Sequence, residues 1–185
     1  MKTIDLIPLA RAAALCAGAV LFAGSAFAAG DKSAYDQART SSKAAYETAS
    51  KRCDAQSGNA KDVCIAEAKA ARTKADVEAE ASYKNTSKAR EHAVRESAKA
   101  DYEVAKERCD DKAGNAKDVC IKEAKAVMTK AQADAKATKK STEARADAAK
   151  DKREADYKVA AEKCDAMSGD AKDGCVRQAK ARYGM

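Results

Sequence analysis

The chain has few large apolar side chains, almost no proline and a single histidine. After residue 28 it contains no Leu, Phe or Trp, and its apolar content is mostly alanine with some Val, Ile, Met and Tyr. Burying an alanine methyl group yields far less than burying a leucine, at roughly 25 cal/mol per Å² of apolar area, so a thick globular core is excluded. The one proline, Pro8, precedes this region, so nothing in it forbids long, uninterrupted helices of Ala, Lys, Glu and Arg.

The scarcity of histidine also limits the chemistry. His92 is the only histidine, so neither a histidine-based metal cluster nor a histidine-activated nucleophile is expected. The paired cysteines lie eleven positions apart, which is not the C-x-x-C spacing of thiol oxidoreductases. We therefore expect a protein that is not an enzyme, with no catalytic residue, no cofactor and no metal.

The first 28 residues predict a secretory signal peptide. The opening segment carries the positive charges of Lys2 and Arg11, and residues 12–24, which follow it, are apolar. Ala26-Phe27-Ala28 then matches a small-x-small cleavage site. An uncleaved anchor is the alternative, but the apolar run is short for a membrane span. We expect cleavage after Ala28, a single repetitive helical domain over residues 29–185 without a membrane span, and a periplasmic location. Cys16 leaves with the leader, so six cysteines remain.

All six remaining cysteines belong to one phrase that occurs three times. It reads CDAQSGNAKDVC from Cys53, CDDKAGNAKDVC from Cys109 and CDAMSGDAKDGC from Cys164, at spacings of 56 and 55 residues. Repeats of this length are typical of stacked or folded-back helical units. A tyrosine stands seven residues before each first cysteine, two helical turns away, and we expect it to pack over the turn: Tyr46, Tyr102 and Tyr157.

The glycine in each phrase predicts a reversal of the chain between the two cysteines. Positions eleven apart on one helix lie about 16 Å apart along its axis, whereas a disulfide requires Cα atoms within about 7 Å. A reversal at Gly58 places Cys53 and Cys64 opposite each other across a helical hairpin. Three local disulfides are therefore expected, clamping turns near residues 53–64, 109–120 and 164–175: Cys53 with Cys64, Cys109 with Cys120, and Cys164 with Cys175.

The residues around each glycine predict a helix end followed by a helix start. Glycine suits the left-handed residue that ends a helix. The Asn or Asp that follows is a favoured N-cap, and the aspartate three positions later completes a capping box. These turn and cap residues are Gly58, Asn59 and Asp62; Gly114, Asn115 and Asp118; and Gly169, Asp170 and Asp173.

The turns divide the mature chain into four helices, over residues 32–56, 60–112, 116–167 and 171–182. Small and apolar residues along the second helix recur every three or four positions, the period of helix packing. Polar stretches at 85–87 and 139–142 would admit a bend. The expected fold is all-α, an elongated antiparallel bundle of helical hairpins with two long helices and three disulfide-clamped turns. Folding the long helices together would bring the first and third turns to the same end.

The phrase Y-x6-C-D-x3-G-[ND]-A-K-D-x-C resembles that of small exported proteobacterial proteins with Ala/Lys/Glu-rich helices, which are sometimes labelled TolA-like. The resemblance covers residues 29–185 and is consistent with an exported helical protein. It transfers no activity.

Charge and composition limit the partners. The chain carries +7, of which the leader holds a net +1, and acidic and basic residues alternate as on solvated helices. No nucleic acid partner is expected, since basic arms and aromatic stacking platforms are lacking. We expect a non-enzymatic periplasmic structural or interaction protein that contacts an envelope protein or an anionic envelope polymer. The alternatives are a stress-related, chaperone-like binding protein and, more distantly, a metal-binding protein that uses Cys53, Cys64, Cys164 and Cys175.

Overall fold

The computed structural model of the protein describes residues 30–185, so the predicted signal peptide lies outside the described residues. Five helices follow one another: α1 (Lys32–Cys53), α2 (Gly58–Lys84), α3 (Ser87–Cys109), α4 (Gly114–Cys164) and α5 (Gly169–Tyr183). The predicted all-α class, with antiparallel hairpins and three disulfide-clamped turns, is confirmed. Over residues 30–185, every helix is too short or too polar to span a lipid bilayer.

The structure divides the predicted helix over 60–112 into α2 and α3, which corrects that prediction. Asn85 adopts the left-handed conformation with φ 45°, and its backbone N–H donates to the carbonyl of Ala81 at 2.9 Å. Asparagine is one of the few residues that tolerates this conformation. Thr86 is extended, and its hydroxyl oxygen accepts from the N–H of Ala89 at 3.1 Å. The Asn-Thr pair therefore ends one helix and starts the next.

Because the chain turns back at Asn85, α2 and α3 lie antiparallel. Two ion pairs fix their register, Lys74 with Asp101 and Glu67 with Arg108. The first and second cysteine turns therefore lie at the same end of the molecule.

The third turn lies elsewhere. α4 runs without interruption for 51 residues from the second turn, which at 1.5 Å per residue is about 75 Å. The expectation that the first and third turns share an end is therefore wrong. The physical reason is that the chain reverses direction at Asn85, in the middle of the single helix predicted over residues 60–112.

The helices form a single row. Over residues 30–185, packing joins α1 with α2, α2 with α3, α3 with α4 and α4 with α5, and no other helix pair. Ala75 and Ala79 of α2 line the groove shared with α1. Ala70 lines the groove shared with α3, on roughly the opposite side of the helix. Each inner helix is thus sandwiched between its two sequence neighbours.

The buried residues are small, as the composition requires. They are alanines, the first cysteine of each turn, Val104 and Ser42. The main cluster joins Ala81, Ala89 and Ala93, with Val77 packed against it, just below the Asn85 turn. Stability must therefore come largely from local features of each hairpin.

Candidate functional site

The three cysteine turns share one geometry. Each first cysteine ends a helix and is at most 1% exposed. The backbone N–H three residues later donates to its carbonyl at 3.0 Å in all three turns. The disulfides join the predicted partners, with Cα–Cα distances of 5.6, 5.8 and 5.7 Å. The phrase therefore encodes a repeated, covalently closed corner.

The predicted helix starts need correction at these corners. Gly58 has the expected left-handed conformation, φ +57°, but it begins α2 and does not end α1. The N-cap is the residue before the glycine: Ser57, Ala113 or Ser168. No side chain makes a cap hydrogen bond at these three helix starts in the described structure, so the capping roles predicted for the following residues are wrong: Asn59 and Asp62, Asn115 and Asp118, and Asp170 and Asp173. The reason is that a glycine with positive φ already places the next residue inside the helix.

Each corner also carries an ion pair that the sequence analysis missed. The aspartate after the first cysteine contacts the lysine three residues after the glycine, at 3.0 Å in the first corner and 2.9 Å in the others. The pairs are Asp54 with Lys61, Asp110 with Lys117, and Asp165 with Lys172. The Asp165 carboxylate raises the pKa of Lys172 through a side-chain hydrogen bond. The signal was present in the sequence, because both residues are identical in all three phrases.

The corners do not form a thiolate site. All four cysteines of the proposed zinc set lie in disulfides, and the first and third corners are joined to opposite ends of the α2–α4 row. Within residues 30–185, no group of three or more His, Cys, Asp or Glu side chains is placed to hold a metal ion. The arrangement instead fixes the angle between consecutive helices.

An apolar groove runs between α3 and α4. It measures about 400 Å³ and includes Val94, Tyr102, Val127 and Met128 among alanines. Val94 is 47% exposed and Val127 is 67% exposed, so the groove presents two large apolar side chains to solvent. This groove is a candidate surface for an apolar ligand or peptide.

A second apolar groove lies between α1 and α2, away from the corners. Tyr35 and Tyr83 stack at its mouth with ring centroids 5.1 Å apart, and the Arg39 guanidinium lies 5.7 Å from the Tyr35 ring. The tyrosine predicted to cover the first corner, Tyr46, packs under Arg72 of α2 at 5.6 Å. These aromatic residues therefore join α1 to α2.

Comparison with known proteins adds no functional assignment. No family model, curated protein or solved structure matches the chain. His92 lies exposed on α3. The surfaces that carry a functional argument are therefore the three corners, the grooves and the faces of the helix row.

Proposed function

We propose that the protein is a non-enzymatic structural or interaction protein of the periplasm, a disulfide-stapled helical rod associated with the cell envelope. The observation that carries the proposal is the single row of helices, in which every cysteine corner is closed by the same disulfide and the same Asp–Lys pair. A row of this kind fixes spacing and orientation while presenting a large polar surface. Those are properties of a spacer or scaffold.

The covalent chemistry supports the compartment. Disulfides persist in oxidising compartments and are rare where thioredoxin and glutathione keep thiols reduced. All six cysteines among the described residues are paired, each with a partner eleven residues away. The leader-like segment at residues 1–28 makes the periplasm the favoured oxidising compartment.

The charge supports an anionic partner. Removing the leader's net +1 from the chain's +7 leaves +6 on residues 29–185. A net positive surface is attracted to anionic polymers over roughly a Debye length, about 8 Å at physiological salt. An envelope polymer that carries phosphate or carboxylate groups fits this surface.

Cell fractionation combined with cross-linking in the periplasm tests the proposal. We expect the full-length gene product to be found in the periplasm with its first 28 residues removed, and to cross-link to envelope components in a salt-sensitive manner. A variant with all six cysteines changed to serine is the matched control and should lose most cross-links. Retention in the cytoplasm, or cross-linking that is unaffected by loss of the corners, would contradict the proposal.

A chaperone-like role is the second candidate, and the exposed Val94 and Val127 in the α3–α4 groove favour it. Purified protein should then suppress the aggregation of a reduced client, and Val127→Glu should abolish the effect. Ala146→Glu is the matched control, because Ala146 is exposed on the same helix and does not line the groove. Unaltered client aggregation at several-fold excess of protein would rule this role out.

A further inference from the structure

The long helix α4 combines parts of two repeat units. Its first half follows the second corner, as α2 follows the first corner. Its second half precedes the third corner, as α3 precedes the second corner. Residues of α2 therefore correspond to α4 residues 56 positions later, and residues of α3 correspond to α4 residues 55 positions later. In the first two units the equivalent helices are packed together, whereas in α4 they are joined end to end.

The α2–α3 interface has a counterpart for each of its buried apolar residues. On α2 these are Ala70 and Ala81, and on α3 they are Ala89, Ala93 and Val104, all less than 9% exposed. Their counterparts on α4 are also alanine or valine, yet all of them are exposed: Ala126, Ala137, Ala144, Ala148 and Val159. Val159 is 57% exposed, whereas its counterpart Val104 is 8% exposed.

The charges of that interface are repeated as well. Lys74 pairs with Asp101 across α2 and α3, and Glu67 pairs with Arg108. The corresponding α4 residues keep the sign of every charge: Lys130 and Asp156, and Glu123 and Lys163. α4 therefore carries both halves of an apolar and electrostatic interface, and the residues of both halves are exposed. α5 packs on α4 beside the second half, where Asp156, Val159 and Lys163 line the groove that the two helices share.

The two halves cannot meet within one straight α4. Lys130 and Asp156 are 26 residues apart, which is about 39 Å along the helix. The Asn85–Thr86 turn that folds α3 onto α2 corresponds to Ser141–Thr142, and there the helix continues. The left-handed asparagine is absent at that position, so the reversal is not encoded.

The uncovered residues lie on one face of α4. Ala126, Ala133, Ala137, Ala144, Ala148, Ala155 and Val159 are separated alternately by seven and four positions, which averages about 3.7 residues per turn, close to the helix period. Ala135, the buried alanine beneath α3, is about 160° around the helix from Ala137. We call the seven residues the outer face of α4. All seven are exposed, and α3 packs on roughly the opposite side of α4.

We propose that two copies of the chain associate antiparallel through the outer face of α4. The register that places Lys130 opposite Asp156 of the second copy also places Glu123 opposite Lys163. A two-fold axis near residue 143 then generates every contact twice, as in an isologous dimer. In this dimer, α4 of one copy packs on α4 of the other in the way that α3 packs on α2 within one chain.

The first helix of the row, α1, carries no such face. The α1 counterparts of Ala89, Ala93 and Val104, found 56 positions earlier, are Ser33, Gln37 and Thr48. Polar outer faces are typical of the terminal units of repeat arrays. The contrast singles out α4, and not α1, as the helix on which a second copy associates.

Sedimentation of the full mature protein from about 1 μM to about 1 mM, the range of weak to moderate association, tests this proposal. We expect a monomer–dimer equilibrium that Ala137→Glu or Ala148→Glu weakens about 100-fold or more, because each places uncompensated carboxylates in the interface. Ala146→Glu, about 180° around the same helix from Ala137, is the matched control and should leave the dimer unchanged. A monomer at every concentration, or an equal effect of all three changes, overturns the proposal.

Charge reversal checks the register without introducing a large apolar change. Lys130→Asp alone and Asp156→Lys alone should each weaken the dimer, since the two-fold axis makes each change count twice. The double variant Lys130→Asp with Asp156→Lys should restore association, and circular dichroism should show full helicity for all three. Failure of the double variant to recover refutes this register. A monomer too short in small-angle scattering to contain a straight α4 of about 75 Å would instead indicate that α4 folds back at residues 140–142, which also overturns the proposal.

Discussion

The third corner offers a sharp test of how this row of helices is stabilised. Changing both Cys164 and Cys175 to serine opens a loop closed across a sequence separation of 11 residues. Because it reduces the conformational entropy of the unfolded chain, such a disulfide stabilises the folded state by about 3 kcal/mol. α5 packs on α4 and on no other helix of residues 30–185, so the loss cannot be shared across the row. Since each 1.4 kcal/mol is tenfold, amide protection in α5 should fall about 100-fold.

Hydrogen exchange followed by mass spectrometry measures this directly. Protection should fall in residues 169–183 and in the last turns of α4, and stay unchanged around Ala81 and Ala89 in the α2–α3 cluster. The same double serine change at Cys53 and Cys64 is the matched control. It should lower amide protection in α1 and leave the protection of α5 unchanged. A uniform fall in protection along the whole chain would refute the reasoning, since it would mean that the helices unfold as one cooperative unit.

Three further predictions concern single residues. Gly174→Ala should stabilise α5 by up to about 1 kcal/mol, since its added Cβ meets only Arg177 at 3.9 Å. Gly58→Ala should instead destabilise the fold by about 1 kcal/mol, because the φ of Gly58 is +57°. The two changes should shift the urea midpoint of unfolding in opposite directions. Asn85→Gly should keep the α2–α3 turn, whereas Asn85→Val should lower the thermal midpoint, and equal midpoints would contradict the role of the left-handed residue. The hydrogen bond from Lys84 lowers the pKa of the Glu80 carboxyl below 4.5. The pair therefore stabilises the fold above that pH, and this contribution to the free energy of unfolding is lost as the pH falls and Glu80 becomes protonated. In Lys84→Gln, NMR titration of the carboxyl groups should show that the pKa of Glu80 returns to its usual range.

The corners could be predicted from sequence because each is encoded locally. A glycine midway between two cysteines leaves few ways to bring the sulfurs together, and the structure contains those bonds. The predicted helix starts lie two residues after the observed ones. Asn and Asp have a high N-cap propensity, but the conformation of the preceding glycine sets where each helix begins. Asn59, expected to cap α2, lies inside its first turn with its side-chain amide nitrogen unpaired.

The reversal at Asn85 was harder to predict than the corners. Its flanks have high helix propensity, and the polar stretch at 139–142 looks similar yet remains helical. The difference lies in a single side chain, since asparagine tolerates the left-handed conformation and the serine at the equivalent position, Ser141, does so less readily. This one turn decides which helices become neighbours. A prediction that misses it is therefore wrong about the arrangement of the whole row.

The eleven-residue spacing also governs how the cysteines find their partners during oxidation. From Cys64 the native partner, Cys53, is 11 residues away, whereas the next cysteine in the other direction, Cys109, is 45 residues away. Two doublings of loop length disfavour the longer closure by about 1.2 kcal/mol even in an unstructured chain. Contacts between helices join only sequence neighbours, and they span 34 residues from Ser42 to Asp76 and 41 from Glu67 to Arg108. A chain that emerges from its N-terminus can therefore close and oxidise each hairpin before the next is complete, and the correct pairing needs little help from a disulfide isomerase.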